Sequence, residues 1–247
     1  MEITNKNIFY NKTLFRNEGG FSFKNFLEKI FIFWDFHKRF TNNNHLISFN
    51  KTHIMDRIEF IIPTYNRPDH LMCLLNSLCS QRSDRWLAHV VADCPPEGTL
   101  YKIMDYFKDD KRIEFSRLSE RYNDWGHTPR NYGVERAKGE WIVMTGEDNY
   151  YTPVFVDNFL SEAKKDVGFV YCDMVHNWKN FDYIKLDCNP SWGNIDIGAF
   201  MIKTELAKQM RLNPNVEQAD GYYVEEFKVK FPELKIVKIP KILYVHN

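Results

Sequence analysis

The sequence predicts an α/β protein: a mostly parallel central sheet flanked by helices and preceded by a helical N-terminal extension. Three observations carry that prediction. Trp141-Ile142-Val143-Met144 is an unbroken apolar run, and four bulky residues in a row need cover on both faces, as a central strand of a parallel sheet has. Strand, loop and helix patterns alternate from Ile58 to Asn149, the order that builds βαβ units. Thr128-Pro129 and Thr152-Pro153 each set a hydroxyl cap before a proline at a first helical position, where a missing N–H costs nothing.

Residues 1–54 form an extension rich in Asn, Lys and Phe. Within it Phe23, Phe26, Leu27, Ile30, Phe33 and Trp34 fall at helical spacing, and Thr41-Asn42-Asn43-Asn44-His45 reads as a linker. That stripe, spanning 21–40, either packs on its own domain, contacts a membrane surface peripherally, or mediates self-association. The main domain is expected over 55–247, with halves at 56–149 and 150–247. Ile58 to Ile62 reads as the first strand, stopped by Pro63, and Leu71, Leu74, Leu75 and Leu78 mark the first helix. Leu87 to Ala92 forms a second strand that ends in Asp93. Leu100, Ile103, Met104 and Phe107 predict a helix, and Ile113 to Phe115 a short strand. The Thr128 helix ends at Gly139, and a further helix runs from Thr152 through Leu160. Beyond it, strands are expected at Val167 to Tyr171, Tyr183 to Leu186 and Ile195 to Ile202. Thr204 caps a helix through Met210, another runs from about Asp220 to Phe231, and two strands, Lys235 to Ile239 and Ile242 to Val245, close the pattern.

The totals exclude several functions. With 247 residues, 44% of them hydrophobic, the chain can bury a sizeable core. Lys plus Arg and Asp plus Glu are both 33, so no global field favours nucleic acid, and no nucleic-acid partner is expected. Five scattered cysteines without a Cys-x-x-Cys pair indicate neither a zinc site nor a disulfide framework. No secretory signal or membrane-length apolar run is apparent, so a cytoplasmic location is expected, or a peripheral one on the cytosolic membrane face.

Chemistry concentrates where the apolar runs end. Ligands of open α/β sheets collect at the carboxyl ends of strands, which is where Glu147 and Asp148 follow Gly146. Two adjacent carboxylates repel, and a divalent cation bound to a polyphosphate relieves the repulsion. The bland alternative is a solvated acidic turn.

Four segments in order resemble the family 2 glycosyltransferases of GT-A, Rossmann-like fold. They are Pro63-Thr64-Tyr65-Asn66-Arg67, the strand ending in Asp93, Arg130-Asn131-Tyr132-Gly133 with Ala137-Lys138-Gly139-Glu140, and Thr145-Gly146-Glu147-Asp148-Asn149. The resemblance spans Ile58 to about His246. It implies an inverting transfer of sugar from a nucleoside-diphosphate sugar to a hydroxyl on a glycan, lipid-linked or protein acceptor, with Mn²⁺ or Mg²⁺ as cofactor. By position, Pro63, Thr64, Tyr65 and Arg67 belong to the donor pocket, and Arg130 approaches the diphosphate or the donor sugar. Asp93 accepts from the ring N–H of the base, which a carboxylate does for uracil, thymine or guanine, and UDP is the expected nucleotide. Asp148 binds the metal, with Glu147 on ribose, sugar or metal-bound water, and His246 resembles a further metal contact. The family pattern usually has Asp at 147 and often a first Asp at position 92, where this chain has Glu147 and Ala92.

On the acceptor side, Asp196 resembles the family's donor-acceptor junction, and Asp220 stands where the family places its general base. Glu217, Glu225 and Glu226 are its rivals, and a helix-start Asp is also an ordinary cap. Trp192 and Trp178 present faces on which a sugar ring can stack, or belong to the core. Two other readings stay open: a sugar nucleotidyltransferase, which needs a Gly-rich loop that Thr64 to Asp69 does not provide, and a sugar- or nucleotide-binding protein of the same fold with little turnover.

Overall fold

The computed structural model describes residues 57–177 and 183–247. The chain divides into two units, Met1–Lys51 and Thr52–Asn247, and everything described belongs to the second. The apolar stripe at 21–40 and Trp178 lie outside the described residues.

Strands β1 (Ile58–Thr64), β2 (Trp86–Ala92), β3 (Ile113–Arg117) and β4 (Trp141–Met144) pair in parallel in the order β3-β2-β1-β4. The connecting helices are α1 (Pro68–Cys79), α2 (Tyr101–Phe107) and α3 (His127–Arg136). This is the parallel sheet that the alternation predicts, and every residue of β1 and β4 is buried. α1 buries Leu71, Leu74, Leu75 and Leu78 as their spacing requires. In α2 Ile103 and Phe107 are buried, while Met104 is exposed. Gly133 lets α3 lie close on β1, since a Cβ there would fall 2.4 Å from Ile61 Cγ2.

Pro63 does not stop β1. Thr145 N donates to Ile61 O and Asp93 N to Thr64 O, so residues 61 and 63 face β4 while residue 64 faces β2. β4 has already ended opposite Ile61, at Met144, and Pro63 therefore occupies a position with no acceptor left to serve. The same registers bring the ends of three strands together, with Thr64 opposite Ala92 and Met144 one turn short of both.

The second half continues the sheet in mixed directions. β8 (Phe200–Lys203) runs antiparallel to β4 and to β6 (Val167–Asn177), while β9 (Lys235–His246) runs parallel to β6. β7 (Tyr183–Leu186), with its predicted bounds, pairs antiparallel with the far end of β6, and β5 (Tyr150–Tyr151) pairs with β9. Helices α4 (Phe155–Ser161), α5 (Thr204–Ala207) and α6 (Ala219–Lys230) complete the fold.

Several boundaries differ from the sequence pattern for identifiable reasons. β6 extends beyond Tyr171 because buried Asp173 is paired with Lys238 Nζ at 2.8 Å, so a charge sits inside a strand. The two expected C-terminal strands are one: the register steps from Cys172 opposite Ile239 to Asp173 opposite Ile242, and a bulge absorbs Pro240 and Lys241. Ile195 to Ile202 is not one strand. Asp196 Oδ1 accepts from Gly198 N at 2.8 Å and tightens Ile197–Ala199 into a 3-10 turn before β8. The three expected threonine caps are also displaced. Thr128 donates its N–H and hydroxyl to Asp124 Oδ2, Thr204 Oγ1 donates to Gly139 O, and the helix after Thr152 starts only at Phe155.

Candidate active site

The acid pair after β4 divides between two neighbours. Glu147 turns inward: its Oε2 accepts from Thr64 Oγ1 and, at 3.3 Å, from Tyr65 N, binding the end of β4 to the end of β1. Burial raises its pKa to about 6, although the Thr64 hydroxyl and Arg67 pull the other way. Asp148 folds back over Gly146, whose missing Cβ would lie 2.8 Å from Oδ1, and its Oδ2 accepts from Arg67 Nη1 at 2.7 Å. Arg67 Nε also stands 3.9 Å from Glu147 Oε1. The two carboxylates are thus met by a guanidinium.

Asp93, at the end of β2, is buried and directs the loop after β3. Its Oδ1 accepts from Tyr122 N at 2.9 Å and its Oδ2 from Asn123 N at 3.0 Å. A carboxylate has about four acceptor positions, so capacity for a further donor remains. Tyr65 carries the Arg121 guanidinium 3.7 Å above its ring, closing one wall. The loop then passes through left-handed backbone at Asn123, Trp125 and Gly126, with φ of 53°, 56° and 82°. A Trp in that region is strained, and Trp125 is held there by Arg130, whose Nη1 donates to Trp125 O at 2.8 Å. Arg130 Nε reaches Thr145 O at 3.2 Å, so this buried side chain ties the loop to the end of β4. Burial lowers the proton affinity of Arg130, while the charges of Asp196, Asp148 and Asp220 raise it.

Those three carboxylates belong to different elements. Asp196 is largely buried, with Oδ2 3.1 Å from His246 Nδ1 and Oδ1 accepting from Tyr244 Oη at 2.6 Å. Burial opposes its ionisation, yet His246, Tyr244 and Gly198 N hold its pKa down at about 2. The same contact raises the pKa of His246 against the effect of burial. Asp220 lies in the first turn of α6 behind Gln218 at the cap position, and its Oδ1 accepts from the adjacent Gly221 N. Burial raises its pKa and the charge of Asp196 adds to that rise.

The rivals of Asp220 are engaged elsewhere or exposed. Glu225 accepts from Trp192 N and from Lys228, Glu226 pairs with Lys230, and Glu217 is exposed. Trp192 sits against the first turn of α6: a Cβ on Gly221 would fall 2.5 Å from its Cδ1 and 2.9 Å from its Cα. Its side is free to meet a ligand, the residue being 51% exposed. Trp125 and His127 are ring neighbours at 6.1 Å, and His127 Nε2 lies 3.0 Å from Val216 O, so this pair joins the loop after β3 to the segment before α6.

The donor set fits a hard dication. Asp148 already holds a cation with a part-exposed oxygen, and the unpartnered buried Oδ1 of Asn149 adds an acceptor nearby. His246 has Nδ1 fixed by a carboxylate, the outer partner that orients a metal-binding imidazole. Among the described residues no group of three or more His, Cys, Asp or Glu is arranged to hold a metal ion. A dication here needs oxygens from a ligand, as Mg²⁺ commonly takes them from phosphates.

Sequence reasoning missed Tyr244 and Asp124, and it named Asn149 only as part of the segment after β4. Tyr244 lies two residues before His246 in an apolar strand, and its hydroxyl is the only polar sign. Asp124 precedes a Thr-Pro start by four residues, a spacing that reads equally well as loop.

Residues 59–221 match the sequence model described as Glycosyl transferase family 2. An uncharacterized glycosyltransferase of Haemophilus influenzae is 25% identical over 139 residues, covering 54% of this chain and 45% of that protein. The chain spans less than half the length of the curated relatives it matches. In fold it is similar to the crystal structure of Staphylococcus aureus TarS 1–349 in complex with UDP, with a TM-score of 0.62 and 20% identity over 76% of this chain and 60% of that one. It is also similar to the mannosyltransferase PcManGT from Pyrobaculum calidifontis in complex with GDP-Man and Mn²⁺, with a TM-score of 0.61 and 17% identity over 90% of this chain and 65% of that one. Matched across both halves of the site, the chain belongs to the family 2 glycosyltransferases and carries their GT-A fold.

Proposed function

We propose that this chain is an inverting, divalent-metal-dependent glycosyltransferase that moves a sugar from a nucleoside-diphosphate sugar, UDP-linked in the first instance, to a hydroxyl acceptor. One arrangement carries the reading. Asp148 after β4 is held by Arg67 at 2.7 Å, while two part-buried acids of the second half stand at Asp196, held by His246 at 3.1 Å, and at Asp220 in the first turn of α6. The charge of each favours the cationic form of buried Arg130.

Asp220 is the catalytic base. It takes the acceptor proton as that oxygen attacks the anomeric carbon from the face opposite the nucleotide, and the bond to the diphosphate oxygen breaks. Burial makes Asp220 a stronger base than an exposed carboxylate, which suits a hydroxyl whose pKa is far above neutral. Asp148 and His246 would hold the dication together with diphosphate oxygens, and its charge would stabilise the departing nucleoside diphosphate. Asp93 accepts from the base, Pro63, Thr64 and Tyr65 line the base and ribose, and Glu147 acts through Thr64. Support comes from the ligands of the two fold neighbours, UDP and GDP-Man: uracil and guanine both present a ring N–H. Trp192 offers its exposed face to the acceptor beside Asp220.

A screen of the full chain with UDP- and GDP-sugars, Mn²⁺ and a panel of simple glycosides, read by release of nucleoside diphosphate, tests the reading. Acceptor-dependent release that Asp148→Ala and Asp220→Asn both abolish is expected. Release unaffected by either change refutes it. Binding of nucleotide with no release on any acceptor favours a binding protein.

A further inference from the structure

We infer that Arg67 is a resident counter-ion for the acid pair, one that a dication must displace and that the donor diphosphate then draws onto itself, so that metal and nucleotide bind cooperatively. This rests on the metal-dependent reading above and adds a role for a residue of this chain. The guanidinium lies on Asp148 Oδ2 at 2.7 Å and within 3.9 Å of Glu147 Oε1. Its side chain is 57% exposed, against 22% for Asp148 and 12% for Glu147, so the arginine closes the outer side of the pair and is free to swing away.

The position of Arg67 is otherwise unfavourable. It occupies the cap position of α1 and makes no side-chain cap hydrogen bond. Ser, Thr, Asp or Asn serves a helix start better, and a cation there opposes the helix dipole. What offsets that cost is the contact with Asp148, 81 residues away.

A metal ion and Arg67 compete for Asp148 Oδ2. A dication sits about 2.0–2.6 Å from a carboxylate oxygen, inside the space the guanidinium fills, and the two charges repel. Metal alone must therefore break the ion pair. A diphosphate changes the balance twice: it brings oxygens for the metal, and it offers Arg67 a fork-shaped partner of higher charge. Each ligand then removes an obstacle to the other, and linkage requires that both affinities rise by the same factor.

The test measures Mn²⁺ binding to the full chain by water-proton relaxation, with and without UDP, corrected for the free Mn²⁺–UDP complex. GDP serves as a second arm, and melting temperatures confirm that each variant is folded. In the unaltered protein the nucleotide should tighten Mn²⁺ binding about 5- to 150-fold, the usual range of such coupling. Arg67→Ala should bind Mn²⁺ alone about tenfold more tightly and show coupling about tenfold smaller, only the part carried by phosphate oxygens on the metal remaining, while Arg67→Lys, a point charge without the fork, should fall between the two. Asp148→Ala should remove Mn²⁺ binding throughout. If Arg67→Ala matches the unaltered protein in both arms while Asp148→Ala loses the metal, the inference about Arg67 is overturned and the metal reading stands. If no protein binds Mn²⁺ with either nucleotide, the metal reading fails and the inference fails with it.

Discussion

The two halves of the domain use charge differently. In residues 57–149 the buried carboxylates are answered mainly by backbone and by near neighbours at strand ends: Asp93 by Tyr122 N and Asn123 N, Glu59 by Lys138 N and Gly139 N. In residues 150–247 side chains from another strand join the backbone donors: Lys238 with Cys188 N on Asp173, and Tyr244 and His246 with Gly198 N on Asp196. The first half is a parallel scaffold whose loops are shaped by carboxylates. The second is a mixed sheet whose last long strand, β9, delivers a row of partners to an acid that the 3-10 turn presents. In both halves the partners lie far apart in sequence, 79 and 80 residues for Glu59 and 48 for Asp196 and Tyr244; the difference is that the second half adds side chains from another strand.

That comparison can be broken by mutation, and the largest effects lie where the halves meet. Asp220→Asn should lower the transfer rate about 10²–10⁴-fold, the usual contribution of a positioned base, while leaving the UDP-induced rise in melting temperature unchanged. Asp148→Ala should cost as much rate and also lose the metal-dependent part of that rise. A variant of Asp220 that also loses donor binding would move this residue from chemistry to architecture.

Next in size is the buried pair that marks the second half. Asp173→Ala leaves Lys238 Nζ with Cys188 O but no counter-charge and frees Cys188 N, and should cost about 2–3 kcal/mol by urea unfolding with an unchanged m value. The figure is at the low end because the Lys238 side chain is about a third exposed. Glu114→Gln, which removes a surface partner of Lys138 in the first half, should cost well under 1 kcal/mol.

Two glycines give a smaller, sharper contrast. Gly133→Ala drives a methyl onto Ile61 in a closed interface and should lower stability by about 1–2 kcal/mol, with the acceptor KM unchanged. Gly221→Ala presses instead on Trp192, which has solvent behind it and can shift outward. Its stability loss should be less, and its acceptor KM should rise while donor hydrolysis stays constant. Equal effects of the two changes on KM would remove Trp192 from the acceptor side.

The smallest effect is one of pH. Asp220 must be ionised to accept a proton, and burial raises its pKa, so activity should increase as pH climbs through that raised value. The acid limb of kcat/KM should therefore lie above about 4, the range of an ordinary Asp. A limb at or below that range would point to a solvated base elsewhere.

Much of this was legible before folding. Trp141–Met144 and Tyr183–Leu186 have their predicted bounds, and Asp93, Glu147 and Asp148 end strands as the pattern required. The helix starts were read less well, because a hydroxyl before proline looks like a cap whether or not it is used. Thr204 instead bonds a carbonyl 65 residues away, and Asp124 takes the role expected of Thr128. β5 was missed because two residues carry no period, and the 3-10 turn because Ile195 to Ile202 is apolar in either conformation.

The sequence by itself determined the α/β alternation, the buried strands and the placing of acids at their carboxyl ends, because apolar runs, turn residues and helix breakers act within a few residues of one another. Only the tertiary structure decided which acid meets which cation. Asp148 faces Arg67 across 81 residues and Asp196 faces Tyr244 across 48, and no spacing rule encodes such a meeting. Electrostatic and hydrogen-bond partners are chosen by distance in space, which the chain acquires only when its sheet closes.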